Sequence, residues 1–247
     1  MSETPNDRHE NPTGNFNEDF ASSLMQARAE QVKLEQEKAN FETQAMQKLF
    51  EKYPEELRKD AASYGGFEII ACGNEPTPEQ MQMIETALQK IREKLGEAAD
   101  KAFAGVKIYL AADVVSGGGQ AFGRESAVIL DPNKMGMTVG QMEDMLDKTG
   151  QYRKGDRSRL VGDDRIAGEL DLVHELGHIL EFRAHGDYDV GLKRLKQEDS
   201  PTMYGQQSAR EDYAESWMYY VYDGQLDDDR KKVIEADVQT ASKRVNS

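Results

Sequence analysis

The sequence predicts an α+β fold with a helical N-terminal extension. Three short apolar runs, at residues 66–73, 105–113 and 126–131, are bounded by glycine, proline or acidic residues and read as strands. Between and after them come stretches whose apolar residues recur at spacings of three and four, the period of a helix face. Ahead of them, residues 17–53 contain neither glycine nor proline. A length of 247 residues suits one sizeable domain with an extension, or two small domains. The 31 basic residues against 46 acidic ones give a net charge of −15, which argues against broad binding to nucleic acid or anionic membrane. A single cysteine, Cys72, excludes an internal disulfide and a thiolate metal cluster. No run approaches the roughly 18 apolar residues of a membrane helix. The N-terminus lacks the apolar core of a signal peptide, so the expected location is cytoplasmic, with non-classical export left open. Oligomeric state is not specified by any of these features.

In chain order, residues 1–18 are polar, with Pro5, Pro12 and Gly14, and are expected to form a disordered tail. Residues 19–100 are expected to be mostly helical. The apolar positions Phe20, Leu24, Val32, Leu34, Phe41, Leu49 and Phe50 keep no strict heptad, which favours a helix packed on its own domain over a coiled coil. Pro54 ends it. After the strand at 66–73, Thr77 caps a helix that has Pro78 at its first position and Gly96 beyond its end. Its residues Met81, Ile84, Leu88, Ile91 and Leu95 form the core face. The second domain, 101–247, holds the other two strands, with "SGGGQAFGRE" between them as a flexible loop. Thr138 and Gln141 are spaced as a capping box for a short helix to about Lys148. The polar "KTGQYRKGDRSRLVG" reads as a surface loop. The next helix opens at Asp163 or Asp164 and closes at Gly186; another spans about 209–222; the charged stretch after Gly224 is expected to be helical.

The helix closing at Gly186 carries the informative residues. Ile166, Leu170, Val173, Gly177, Leu180 and Ala184 form one stripe, and Leu172, Leu176 and Ile179 make other faces apolar too, so its middle should be buried nearly all round. Within it lies His174-Glu175-Leu176-Gly177-His178, an HExxH motif. Histidines four apart share a face and can meet one Zn²⁺ at roughly 2.0–2.1 Å each. Glu175 points toward the same edge, where it can act on a metal-bound water. Gly177 leaves room for a close neighbour. Two of the four histidines of the chain sit here, and unpaired imidazoles are costly in such apolar surroundings. The competing reading makes them hydrogen-bonded core residues and the acidic helical chain an interaction module.

A catalytic zinc takes three protein ligands. His185 is one residue late for H-E-x-x-H-x-x-G-x-x-H, which requires glycine at Glu181 and histidine at Ala184. "SPTMY" has the wrong spacing for a methionine turn. A carboxylate from the 209–222 helix is the other solution. Glu211 can ligate the metal, and Glu215, one turn on, can accept the N–H of a ligand histidine. Against this, Ser208-x-x-Glu211 is also a capping box.

HELGH followed by "MYGQQSAREDYAES" resembles the zinc peptidases formed by the C-terminal domain of anthrax lethal factor and the Pro-Pro endopeptidases. The resemblance covers roughly residues 105–222. It implies a zincin-like fold, a small mixed sheet packed on the active-site helix, and a zinc-dependent endopeptidase of the gluzincin type. It implies His174, His178 and Glu211 as zinc ligands, Glu175 as catalytic base, Tyr204 as the catalytic tyrosine seven residues before Glu211, and Glu215 behind the ligands. Glycine follows the tyrosine here, as in lethal factor. A peptide or protein substrate would be held extended along an edge strand near Ala127–Leu130. Asp212 departs from the pattern, standing where lethal factor has an aromatic residue. The alternative within the same fold is a catalytically inactive zincin-like module used for binding or assembly.

Overall fold

The computed structural model describes residues 43–150, 152–193 and 195–244, together with Lys33. The chain divides into two compact units, Met1–Gln47 and Lys48–Ser247. The expected tail 1–18 and most of the long N-terminal helix lie outside the described residues; residues 43–52 are helical and form α1.

The second unit is a mixed α+β structure around one five-stranded sheet. Its strands are β1 (Arg58–Tyr64), β2 (Phe67–Cys72), β3 (Val106–Leu110), β4 (Gly119–Phe122) and β5 (Ala127–Leu130). They lie in the order β1-β2-β3-β5-β4. β2, β3 and β5 run parallel, and the outer strands β1 and β4 are antiparallel to their neighbours. Two expectations change here. Residues 58–102 of the expected N-terminal region pack with the later elements, since the sheet begins at Arg58 and the helix after β2 lies in the same core as the later helices. The edge strand is not Ala127–Leu130. β5 is paired on both sides and wholly buried, and the edge is β4, from the glycine-rich segment expected to be a flexible loop.

The helices follow their sequence signals closely. α2 (Pro78–Leu95) has the full Thr77–Gln80 capping box, and buries Ile84, Leu88 and Ile91. α3 (Glu97–Ala102) follows directly after Gly96. α4 (Val139–Leu146) has the Thr138–Gln141 box. In the segment expected to be a surface loop, α5 (Ser158–Val161) forms, and Tyr152, Asp156 and Arg157 are buried. α6 (Ala167–His185) starts later than Asp163 or Asp164, because residues 163–166 form a turn and an isolated bridge that pair with 138–140. There Val139 N–H donates to Arg165 O at 2.7 Å and Ala167 N–H to Met137 O at 2.8 Å. Gly186 ends α6 in the left-handed conformation, φ 78°. α7 (Ala209–Val221) and α8 (Asp228–Arg244) complete the unit.

α6 is the central rod, touching α2, α7, α8, β4 and β5. That is why its sequence is apolar on nearly every face. Its Leu172, Leu176 and Ile179 share one core with Ile69, Ile108, Val128 and Trp217. None of the described helices is long and apolar enough to cross a membrane.

Candidate metal centre

Two helices build the site, and one glycine sets their distance. A Cβ on Gly177 of α6 would lie 2.8 Å from Trp217 Cδ1 and 3.0 Å from Ala214 Cα, so only glycine lets α7 come this close. The approach carries Glu211, at the start of α7, onto the histidines of α6. Glu211 Oε2 lies 3.0 Å from His174 Nε2 and 3.5 Å from His178 Nε2. One ligand atom from each of the three residues falls within 4.8 Å of the others. Three ligands held tetrahedrally at about 2.0–2.1 Å from one ion stand about 3.3 Å apart, so the spacing suits a single small cation. Both imidazoles are buried, and His178 Nδ1 has no hydrogen-bond partner among the described residues.

The two ends of Glu211 meet different partners. Its backbone N–H donates to Ser208 Oγ at 3.1 Å, so Ser208 caps α7, while the carboxylate faces the histidines. Glu215, one turn on, is fully buried with Oε1 2.8 Å from His174 Nδ1. That contact is close but falls outside straight hydrogen-bond geometry. It leaves Nε2 as the ring atom facing Glu211.

Electrostatics agree with a cation-binding pocket. Burial works against a charge on His174, but the hydrogen bond to Glu211 and the adjacent carboxylate of Glu215 outweigh it and raise its pKa to about 10. Burial wins at His178, lowering its pKa to about 4 against the pull of Glu211. Burial would raise Glu211, yet the two histidines hold it far below the usual carboxylate range. Two carboxylates on one imidazole mark a pocket in which a proton and a divalent ion compete for the same nitrogen.

Glu175 is half-buried at the edge of a cleft of about 460 Å³, whose lining includes Met137, Met142, Tyr152, His174 and Tyr204. Burial raises its pKa to about 7, with His174 opposing. The glycine-rich segment passes directly beside it. A Cβ on Gly119 would lie 3.0 Å from Glu175 Cγ, and one on Gly118 would lie 2.7 Å from Asp171 Oδ2. Tyr204 lines the same cleft with its ring 5.8 Å from that of His174. Burial pushes its hydroxyl pKa above the ordinary tyrosine value, so it stays a proton donor.

All six residues singled out in the sequence therefore meet at one place. His185 does not join them; its Nε2 lies 3.0 Å from Asp237 Oδ2 of α8. Glu181, where a third-histidine motif needs glycine, accepts the N–H groups of Val190 and Gly191 at 3.0 Å each and anchors that loop. Met203 is surface-exposed and forms no floor under the site. Asp212 is buried and paired with Arg230 of α8 at 2.8 Å.

Sequence reasoning missed the residues behind the site. Arg157 Nη2 donates to Glu215 Oε1 at 2.5 Å and Nη1 to Asp171 Oδ1 at 2.8 Å. Tyr152 stacks on Tyr204 with ring centroids 4.7 Å apart. Asp171 had a signal, since it stands three residues before His174 on the same helix face. Arg157 and Tyr152 sit in a polar stretch without periodicity and had none. Comparison of the chain with family models, with curated proteins and with solved structures found no match.

Proposed function

We propose that this chain is a zinc-dependent endopeptidase of the gluzincin type, with a zincin-like arrangement of sheet and active-site helix. The observation that carries the reading is the convergence of His174, His178 and Glu211 within 4.8 Å, with Glu175 at the adjoining cleft. The donor set, two imidazole nitrogens and a carboxylate with His178 Nε2 3.5 Å from Glu211 Oε2, suits zinc. Zinc bound there supplies Lewis acidity, lowering the pKa of a water toward about 7 and polarising a carbonyl.

The remaining work belongs to the side chains of the chain itself. Glu175 takes a proton from the attacking water and delivers it to the leaving amine nitrogen. The Tyr204 hydroxyl donates a hydrogen bond to the carbonyl oxygen as negative charge builds there. Glu215 holds the ring of His174 so that Nε2 faces the ligand position. β4 is paired with a strand on one side only among those described, so its free edge is where an extended peptide would add. Gly119 brings that edge to Glu175.

The test combines metal analysis with a peptide-library cleavage screen. Wild type is expected to hold one zinc and to cleave. Glu175→Gln is expected to keep zinc and lose at least about 100-fold in turnover, and His178→Ala to lose zinc. Undiminished cleavage by Glu175→Gln rejects the assigned base. Stoichiometric zinc with no cleaved peptide favours the inactive binding module instead.

A further inference from the structure

We propose that Arg157 is a positioning residue that holds the metal-ligating His174 and the cleft tyrosine Tyr204 in one fixed arrangement. The inference rests on the metal-site reading above. Arg157 is 1% exposed, and its guanidinium reaches two acids with separate nitrogens, Asp171 through Nη1 at 2.8 Å and Glu215 through Nη2 at 2.5 Å. The oxygen of Glu215 that accepts from Arg157 is the one beside His174 Nδ1, whereas Oε2 has no partner among the described residues. The orientation of the Glu215 carboxylate, and with it the His174 ring, is thus set through a single oxygen held from behind by Arg157.

The same segment reaches Tyr204 by two routes. The Arg157 guanidinium lies 5.2 Å from the Tyr152 ring centroid, and Tyr152 stacks on Tyr204 with 9° between the ring planes. Asp156 Oδ2 accepts the N–H of Met203, the residue before Tyr204, at 2.7 Å. The segment is itself anchored. Buried Glu143 of α4 accepts the backbone N–H groups of Gly155, Arg157 and Ser158 at 2.8, 2.6 and 3.0 Å. One short stretch, fixed to α4, therefore braces a ligand histidine on one side and a cleft hydroxyl on the other.

Electrostatics and geometry predict opposite effects, which makes the role testable. A positive charge behind the site opposes a dication, so on electrostatics alone Arg157→Met raises metal affinity and Arg157→Lys leaves it unchanged. A positioning role predicts a fall in both variants, because neither keeps a planar fork that engages two acids at once. The expected fall is about 10–100-fold. Affinity is read on the full-length protein by competition for Zn²⁺ with a chromogenic chelator. The visible spectrum of the Co²⁺-loaded protein reports ligand geometry, and melting of the chelated protein serves as the folding control. In folded Arg157→Lys the Co²⁺ spectrum should change. Wild-type affinity and spectrum in that variant, or a gain in affinity in Arg157→Met, overturn the inference alone. A wild-type protein that binds no Zn²⁺ removes both the inference and the reading beneath it. If the Arg157 variants do not fold, Glu215→Gln and Tyr152→Leu divide the two branches. Glu215→Gln should lower Zn²⁺ affinity. Tyr152→Leu should keep it and lower kcat with little change in KM. Unchanged affinity in the first or unchanged kcat in the second refutes the proposal.

Discussion

Replacing Gly177 by alanine adds one methyl group at the closest approach of α6 and α7. Its Cβ would stand 2.8 Å from Trp217 Cδ1 and 3.0 Å from Ala214 Cα. Reaching ordinary contact needs movements of about 0.6 and 0.4 Å. Ala214 presents backbone and Trp217 is fully buried, so neither yields by a simple rotation and α7 must shift. Overpacking of this kind costs about 1–3 kcal/mol, and better helix propensity returns about 0.5–1 kcal/mol. A net loss near 1 kcal/mol lowers Tm by about 2–4 °C for a unit of this size. The functional effect is expected to be larger. Glu211 rides on α7, and coordination tolerates displacements of only about 0.2 Å. Zinc affinity, measured by chelator competition on folded protein, should fall by at least tenfold. A Gly177→Ala protein with a raised Tm and unchanged zinc affinity would show that the helix spacing does not govern the site.

Four further outcomes follow from the same packing and pairing. Zinc at about 1,000 times its Kd should add about 4 kcal/mol to stability, so chelation should lower Tm by roughly 8–16 °C; an unmoved melting curve contradicts the metal reading. Asp212→Ala leaves the guanidinium of Arg230 with Asp227 and Lys196 O as partners, and should cost about 3 kcal/mol in chemical denaturation. Adding Arg230→Met should recover part of that loss, and strict additivity would refute the coupling. The hydrogen bond to Asp237 raises the pKa of His185 above its ordinary 6.5, against partial burial. That contribution is complete below pH 6.5 and disappears as pH rises through the raised value, so the Tm gap between wild type and His185→Gln should be widest in acid; a constant gap would refute it. Lys134 Nζ donates to the carbonyls of Ser116 and Gly117 at 3.1 and 3.2 Å, just ahead of β4. Lys134→Met should therefore raise KM while leaving zinc affinity intact, and an unchanged KM would exclude a part in shaping the substrate edge.

How much of the fold could be read in advance depends on where each signal resides. α2 and α4 were visible because cap and core face lie within one short window, and their capping boxes form as spaced. β3 and β5 are central and buried, so they read as apolar runs. The two outer strands were not visible, for opposite reasons. β1, "RKDAASY", carries the charges that suit an exposed edge and so lacks a strand pattern. β4, "GQAF", opens on the glycine that must pass beside Glu175, and that glycine reads as loop. The displaced start of α6 has a similar origin. Asp163 and Asp164 look like caps, but the partner of residues 163–167 is a segment more than twenty residues earlier.

The same division runs through the site. His174, Glu175 and His178 are spaced by one helix, and Glu211 and Glu215 by another, so each set was visible locally. The join between the two sets was foreshadowed by Gly177, where a missing side chain signalled close packing without naming the neighbour. Nothing local foreshadows a guanidinium between Asp171 and Glu215. Arg157 lies 14 residues from the first and 58 from the second, in a stretch whose charge reads as solvated surface. The buried carboxylate of Glu215 behind His174 nevertheless requires a compensating cation, since an unpaired buried carboxylate is strongly disfavoured. A carboxylate at position 215 placed behind His174 thus implies a basic partner. A chain with 31 basic residues offers too many candidates for sequence alone to choose among, and only the anchoring of the 155–158 backbone on Glu143 makes the choice.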